Sequence, residues 1–515
     1  MMTCLHPAHA HLPSTCQLLT EGGDERIALD PAGGVNKYGC RPRPDNGLAA
    51  FGSATASTIS ELGFAAAEEI RKRLLLALES EDPAGLYLTE ICRLRSEFID
   101  LCGLKQIPGL EVIVSPSGTD VHMLASRLVG RSGAGRTLAI MVQPTETGSG
   151  VADALAGQIY PRYLSPNRSQ DAERRHPSVD IATITIRAGD CALRPIETID
   201  NELETMVSTA AKQYDKILIT LTDISKTGIL APGPRRVVDL KRRWPDTVEV
   251  LIDAAQFRLA PDSLRGYLAL DCMVAVTGSK FVGGPTFSAM LLVPGAAACR
   301  LMQRPVDPAL RVTSARAEWS QDWNGIQALP QVSNFGLLLR WEAALAEMRA
   351  FRAASEEDVG HVVRTFRNAI ASRLGGDRCF EPLEQSALDR RPLEIGPSWD
   401  QIPTIFPFLL FRIGPRGKRM PVGAEETKQI YNQLRSPTKR AGSSEASEGV
   451  SSIRCELGQP VSCGEREGTP VAALRLCLSA RLIVGAVNAG DRGVACLIER
   501  GLTAVDKAAF LVRNP

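Results

Sequence analysis

The chain has 515 residues, 44% of them apolar and 23% charged, a make-up that excludes disorder as its main state. Its 59 Lys and Arg against 58 Asp and Glu leave a formal charge of +1, which gives no basic field for nucleic acid or an anionic membrane surface. Thirteen cysteines without regular spacing, an opening MMTCLHPAHAHLPSTCQLLT with neither Lys nor Arg, and no uncharged run of membrane-spanning length predict free thiols in a reducing, cytoplasmic setting.

Residues 1–50 are rich in Pro and Gly and read as a partly disordered arm, with one strand-like stretch, ERIALD at 25–30. His6, His9 and His11, flanked by Cys4 and Cys16, are zinc-type ligands, but no apolar element surrounds them; a loose tail without metal is expected. Asn36 and Tyr38, in GGVNKYG, suit a substrate mouth or a plain turn equally well. Helical spacing of apolar residues predicts helices over 60–77, 88–102 and 119–129. Between and after them lie β-rich runs: EVIVS at 111–115, TLAIMV at 137–142, ATITI at 182–186, KILITLT at 216–222, VEVLID at 248–253 and CMVAVTG at 272–278. Such alternation predicts an α/β large domain over 51–330, its sheet mainly parallel, flanked by helices and buried on both faces. Helices at 334–352, 356–374 and 425–434, with a strand at 402–411, predict a smaller α+β C-terminal domain over 331–515. Within it, the Ser/Gly/Glu-rich segment 435–470 reads as a mobile loop, followed by a strand, ALRLCLSARLI, and a closing helix.

Chemistry concentrates in VEVLIDAAQFRLAPDSLRGYLALDCMVAVTGSKFVGGPTFSAMLLVP. Asp253 ends a buried strand, where an acid is expensive unless it faces a cation or strong donor. Lys280 ends the next strand, among Thr277, Gly278 and Ser279, and is followed by Gly283, Gly284, Pro285 and Thr286. An amine, an acid, a glutamine and hydroxyls so placed form the set that holds pyridoxal phosphate (PLP). Upstream, SPSGTD at 115–120 ends a strand and opens a helix, so Ser117, Gly118 and Thr119 make a phosphate cradle or a plain N-cap.

These motifs resemble those of the class V aminotransferase family of fold type I PLP enzymes, which includes cysteine desulfurases and alanine-glyoxylate aminotransferases. The family's Asp-Ala-Ala-Gln reads Asp253-Ala254-Ala255-Gln256, its Ser/Thr-x-x-Lys reads Thr277-Gly278-Ser279-Lys280, and its Gly-Pro-Thr reads Gly284-Pro285-Thr286. The resemblance implies that Lys280 forms the internal aldimine, Asp253 pairs with the pyridine nitrogen, and Gln256 bonds the phenolic oxygen. Thr277 and Ser279 would bind phosphate with Ser117, Gly118 and Thr119, while Thr286 would serve the phosphate of a neighbouring subunit in a homodimer. Gly52–Arg71 is similar to the segment leading into the family's first large helix. DISKTGILAP at 223–232 places Ser225 near the cofactor, and Arg475, with Arg481 as its rival, stands where the family keeps its carboxylate-clamping arginine.

Two departures bear on the reaction. Positions 143–151 offer Thr147 and no aromatic residue where the desulfurases often have a stacking His. Cys463, with Cys455 nearby, is the one candidate for a desulfurase nucleophile on a loop before Arg475. The expected activity is therefore a class V aminotransferase-like transfer at an amino acid's amino group. The alternatives are a cysteine desulfurase or other carbon–sulfur or α,β-lyase, and a non-catalytic scaffold.

Overall fold

The structure is a computed structural model, and it describes residues 12–130, 135–159, 179–437, 450 and 452–514. Cys4, His6, His9 and His11 lie outside the described residues, as do 438–449 and 451 of the expected loop. The chain enters through α1 (Thr15–Leu18) and β1 (Leu48–Phe51). Ser60 then caps α2 (Glu61–Ala77) through the Gly63 amide, and Asp82 caps α3 (Pro83–Leu101), whose first position is a proline. The stretch expected as a strand at 25–30 is a turn instead: Ile27 N–H bonds the Asp24 carbonyl and Ala28 N–H bonds that of Glu25.

The large lobe follows as β2 (Glu111–Ser115), α4 (Gly118–Val129), β3 (Thr137–Val142), α5 (Val151–Leu155), β4 (Val179–Ile184), α6 (Ile196–Ala210) and β5 (Lys216–Asp223). It continues with β6 (Leu230–Ala231), α7 (Pro234–Arg243), β7 (Val248–Ala254), α8 (Pro261–Ala269), β8 (Met273–Thr277), β9 (Ala289–Val293) and α9 (Gly295–Leu301). Its sheet runs β2-β9-β8-β7-β5-β3-β4, with β6 on β5. The neighbours from β8 to β4 are parallel, and β9 is antiparallel to both β8 and β2. Every residue of β3, β7, β8 and β9 is buried, the expected result for strands covered by helices on both faces.

The small lobe comprises α10 (Phe335–Ala353), α11 (Glu356–Gly375), β10 (Phe380–Pro382), β11 (Ile405–Ile413), β12 (Arg419–Pro421), α12 (Ala424–Leu434), β13 (Arg454–Arg466), β14 (Thr469–Cys477), and closing helices Ala480–Asn488 and Gly490–Arg513. Three expectations change here. Residues 454–466, expected in a loop, form β13, because this stretch pairs with both β1 and β14. The last strand ends at Cys477, which leaves Arg481 on a helix. The boundary between lobes falls inside α10 and not at 330: Leu337–Leu339 and Met348 pack in the core of the large sheet, whereas Phe351 joins Ala49 and Phe51 in the small lobe's core. Among the described residues no helix is long and apolar enough to cross a membrane.

A buried ion pair fastens the crossover between β10 and β11 to the large sheet. Arg390 Nε and Nη2 donate to the two oxygens of Asp223 at 2.7 and 2.8 Å, and Tyr267 donates to the same carboxylate at 2.7 Å. Removing one partner leaves the other charged group in a dry interior. Arg390→Leu is therefore expected to cost about 3–5 kcal/mol of stability, read as a lowered urea midpoint with an unchanged slope.

Candidate active site

Asp253 lies near the end of β7, buried, with Oδ1 accepting the Ala255 amide at 3.2 Å and Oδ2 3.4 Å from His122 Nε2. His122 lies one turn into α4, and its Nδ1 is 2.6 Å from the Gly118 carbonyl. A carbonyl only accepts, so Nδ1 carries a proton; Nε2 faces a carboxylate and is favoured to carry one too. Burial pushes the His122 pKa down, but the Asp253 charge outweighs it and holds the imidazole above its ordinary value. Burial likewise opposes ionisation of Asp253, and His122 with Lys280 overcomes it, so the carboxyl lies below its ordinary value. Nε2 and Oδ2 face each other at 3.4 Å, and Nε2 has no hydrogen-bond partner among the described residues.

Lys280 follows β8 on a turn pressed against α10. A Cβ on Gly278 would lie 2.6 Å from the Ala344 Cβ, and one on Gly284 would lie 2.8 Å from the Gly278 carbonyl. Only glycine permits that approach, which fixes where Lys280 emerges. Lys280 is half-buried, and its carbonyl accepts Ser57 Oγ at 3.2 Å. Burial, with repulsion from Arg475 and Arg258, holds its pKa below the ordinary lysine value against the pull of Asp253. Ser279 is buried beside it, and Thr277 donates its hydroxyl to the Ala255 carbonyl at 2.6 Å.

Ser117 caps α4 by accepting the Asp120 amide, and a Cβ on Gly118 would meet the Thr277 methyl at 3.3 Å. Arg26, from the arm, reaches this helix start. Its Nη1 donates to Thr119 Oγ1 at 3.0 Å, Nη2 lies 3.4 Å from Ser117 Oγ, and Asp24 holds the guanidinium over the Phe287 ring. The arm also supplies Asn36, whose Nδ2 donates to Thr286 Oγ1 at 3.0 Å, and whose Oδ1 accepts the Tyr38 amide.

Gln256 Nε2 donates to the Ala54 carbonyl at 3.0 Å, and its buried Oε1 has no hydrogen-bond partner among the described residues. Two residues on, the buried Arg258 donates to Thr404 Oγ1, the Leu478 carbonyl and Ser53 Oγ. Arg475, equally buried, donates to the Gln459 carbonyl, Thr55 Oγ1 and the Lys226 carbonyl. Neither guanidinium forms an ion pair with a described carboxylate. Burial, with Arg475 nearby, lowers Arg258 to about 10, and burial with Arg475 and Lys280 lowers Lys226 to about 8.

Ser225 is buried near these groups, but its hydroxyl donates to Glu146 at 2.8 Å. Glu146 also accepts the Thr227 hydroxyl and pairs with Arg187 at 3.4 Å. Next to it, the buried Thr147 Oγ1 has no hydrogen-bond partner among the described residues. Arg481 donates to the Thr58 carbonyl at 2.6 Å from the first closing helix, whereas Arg475 lies on β14.

Cys463 is not on a loop. It lies buried on β13 with Sγ donating to the Val461 carbonyl at 3.0 Å, and burial pushes its thiol up to about 12. Cys455 is buried on the same strand, pushed up to about 11. Neither has the character of a nucleophilic thiolate.

His122, Arg26, Lys226 and Arg258 were absent from the residues expected at the site. The nearest sequence signals were the i, i+4 spacing of His122 from Gly118, and the adjacency of Lys226 to Ser225 and of Arg258 to Gln256.

No protein-family model and no curated protein matches the chain. Among solved structures, it is similar to a mutant of C-DES with glycine covalently linked to its PLP cofactor (TM-score 0.53, 13% identity, covering 89% of this chain and 99% of that one). It is also similar to a NifS-like protein (0.51, 12%, 89% and 99%) and to Oryza sativa TDC with PLP (0.50, 14%, 91% and 84%). The architecture is that of the fold type I PLP enzymes, as the motifs imply.

The position of Cys463 is open to a direct check. Native protein treated with a maleimide is expected to be labelled first at the exposed Cys92, Cys299 and Cys496, with Cys463 reacting only on denaturation. Peptide mass mapping over a time course reads the order.

Proposed function

We propose that the chain is a PLP-dependent enzyme working at the α-carbon of an amino acid, most closely a class V aminotransferase-like transferase. The observation that carries this reading is the convergence of Lys280, half-open with a lowered pKa, and the buried Asp253–His122 pair on one site at the ends of β7 and β8. The donor set suits the cofactor. Gln256 keeps an unpartnered buried Oε1, and the start of α4 offers backbone amides with Arg26 and Thr119 as a phosphate cradle, the Ser117 hydroxyl already donating to Asp120 at 2.6 Å.

Bound there, PLP supplies an electron sink for the electrons left at the substrate's α-carbon. In this reading Lys280 Nζ would be the amine that holds the cofactor and, when free, would take and return the proton at that carbon. Asp253, kept ionised by His122, holds a proton on the ring nitrogen. Arg26 contributes the cation that the expected phosphate ligands lacked, Ser279 adds a hydroxyl, and Arg475 grips the substrate carboxylate. Thr277 and Ser225 contribute by bracing, since their hydroxyls already serve Ala255 and Glu146. The reading includes a homodimer in which Thr286 would meet the neighbouring subunit's phosphate.

Cys463 weighs against the desulfurase alternative, because a buried, neutral thiol on a strand cannot reach a substrate sulfur. The scaffold alternative is disfavoured by cost: burying an acid, an imidazole and several cations without a ligand penalises folding with no return.

Two measurements test the reading. Titration with PLP is expected to give a yellow protein, and borohydride followed by peptide mapping to place the pyridoxyl group on Lys280; Lys280→Ala should lose both, and a label on another lysine would refute the assignment. Asp253→Asn keeps the shape but not the charge, so the variant should retain cofactor absorbance while turnover falls by roughly two to three powers of ten. Near-normal turnover in that folded variant would contradict the role given to Asp253.

A further inference from the structure

Arg475 Nη1 donates to the Lys226 carbonyl at 3.3 Å, and burial, with Arg475 nearby, lowers the pKa values of Lys226, Arg258 and Lys280. Among the described residues none of the four makes an ion pair with a carboxylate. The two nearest acids are committed elsewhere, Asp253 to His122 and Glu146 to Arg187. Arg475 donates to carbonyls and a hydroxyl, and Arg258 does so through Nη1 and Nη2 while its buried Nε has no partner among the described residues, so both charges stay uncompensated in a buried setting. Such an excess is stabilised by an anionic ligand, and one carboxylate on Arg475 answers only part of it.

Lys226 is the member free to answer the rest. Its backbone is rigidly placed: the amide donates to the Glu146 carbonyl at 2.8 Å, the carbonyl accepts Arg475 Nη1 at 3.3 Å, and Gly228 N–H closes the turn onto the Ser225 carbonyl. Its side chain is half-buried, and its ammonium has no hydrogen-bond or ion-pair partner among the described residues. Arg258, by contrast, is fully enclosed and adds only its field.

The geometry points to Lys226 as a second anion subsite beside Arg475, so that the preferred substrate is an amino acid with an acidic side chain. This rests on Arg475 taking the α-carboxylate in the function proposed above. Recognition would follow from two anchored charges: Arg475 holds one carboxylate, and Lys226 meets a side-chain carboxylate or sulfonate that a neutral side chain cannot imitate.

The test uses pairs of equal shape. Holoenzyme titrated with aspartate against asparagine, and glutamate against glutamine, is expected to show the acidic member of at least one pair bound roughly tenfold more tightly, by cofactor absorbance. Lys226→Met should bring that ratio close to one without weakening the neutral member, and Lys226→Arg should keep most of it. In parallel, calorimetry on the cofactor-free protein with succinate against butyrate should show the same preference and its loss in Lys226→Met. Equal binding of acidic and neutral partners by the wild type, or an unchanged ratio in Lys226→Met, overturns the proposal. Failure of the protein to take up PLP would refute the function proposed above, while the calorimetric arm still decides the role of Lys226.

Discussion

The structure turns on a short strap, residues 53–58, that runs from β1 in the small lobe to α2 on the large one. Ser53 Oγ accepts from Arg258, the Ala54 carbonyl from Gln256, Thr55 Oγ1 from Arg475, and the Thr58 carbonyl from Arg481, while Ser57 donates to the Lys280 carbonyl. These bonds reach site residues of both lobes. The strap also gives two buried guanidinium groups part of their hydrogen bonding without neutralising them. A carboxylate in place of Thr55 would make a tighter ion pair and would also occupy the anion's place. Neutral acceptors hold the arginines in position and leave their charge for a ligand.

That arrangement separates the site into regions of different electrical character. Around Asp253 an imidazole stands against a carboxylate, and each favours the charged form of the other, raising the His122 pKa and lowering that of Asp253 against the cost of burial. Around Lys280, burial together with the nearby Arg475 and Arg258 makes the amine lose its proton more readily than a free lysine. An amine that must act as a nucleophile gains from the second condition, and an acid that must stay ionised gains from the first. In the function and subsite proposed above, the same cations would serve both the reactivity of the lysine and the preference for anionic ligands.

Contiguous chemistry was legible in the sequence. Asp253-Ala-Ala-Gln256 and Thr277-Gly-Ser-Lys280 each lie on one strand end and its turn, so local spacing carries their geometry, and the β-rich runs match β2, β3, β4, β5, β7 and β8 to within a few residues. Arg26 was hidden because its meaning depends on contact with Thr119, 93 residues away. The stretch 25–30 alternates like a strand but finds no neighbour to pair with, and local polar bonds turn it instead. β13 erred in the other direction: its Ser, Gly and Glu content reads as linker, yet two flanking strands supply the hydrogen bonds that composition does not advertise. The assignment of Cys463 to a mobile loop fell with it.

His122 shows how a single helix can set the dimensions of a site. Its imidazole is anchored to the carbonyl of Gly118, the residue that opens α4, and supports Asp253 one turn further on. The exposed amides at the helix start and the imidazole are thus separated by four residues, roughly 6 Å of axial rise. A rigid aromatic ring with a phosphate arm needs its two polar ends held at a fixed separation, one by donors to phosphate and the other by an acid at the ring nitrogen. A loop could present the same groups but would let that separation vary. α4 carries the amides and His122 on its first turns, β7 carries Asp253 against that imidazole, and Gly118 lets β8 approach through the Thr277 methyl, so the spacing is set by how the buried helix packs on the sheet.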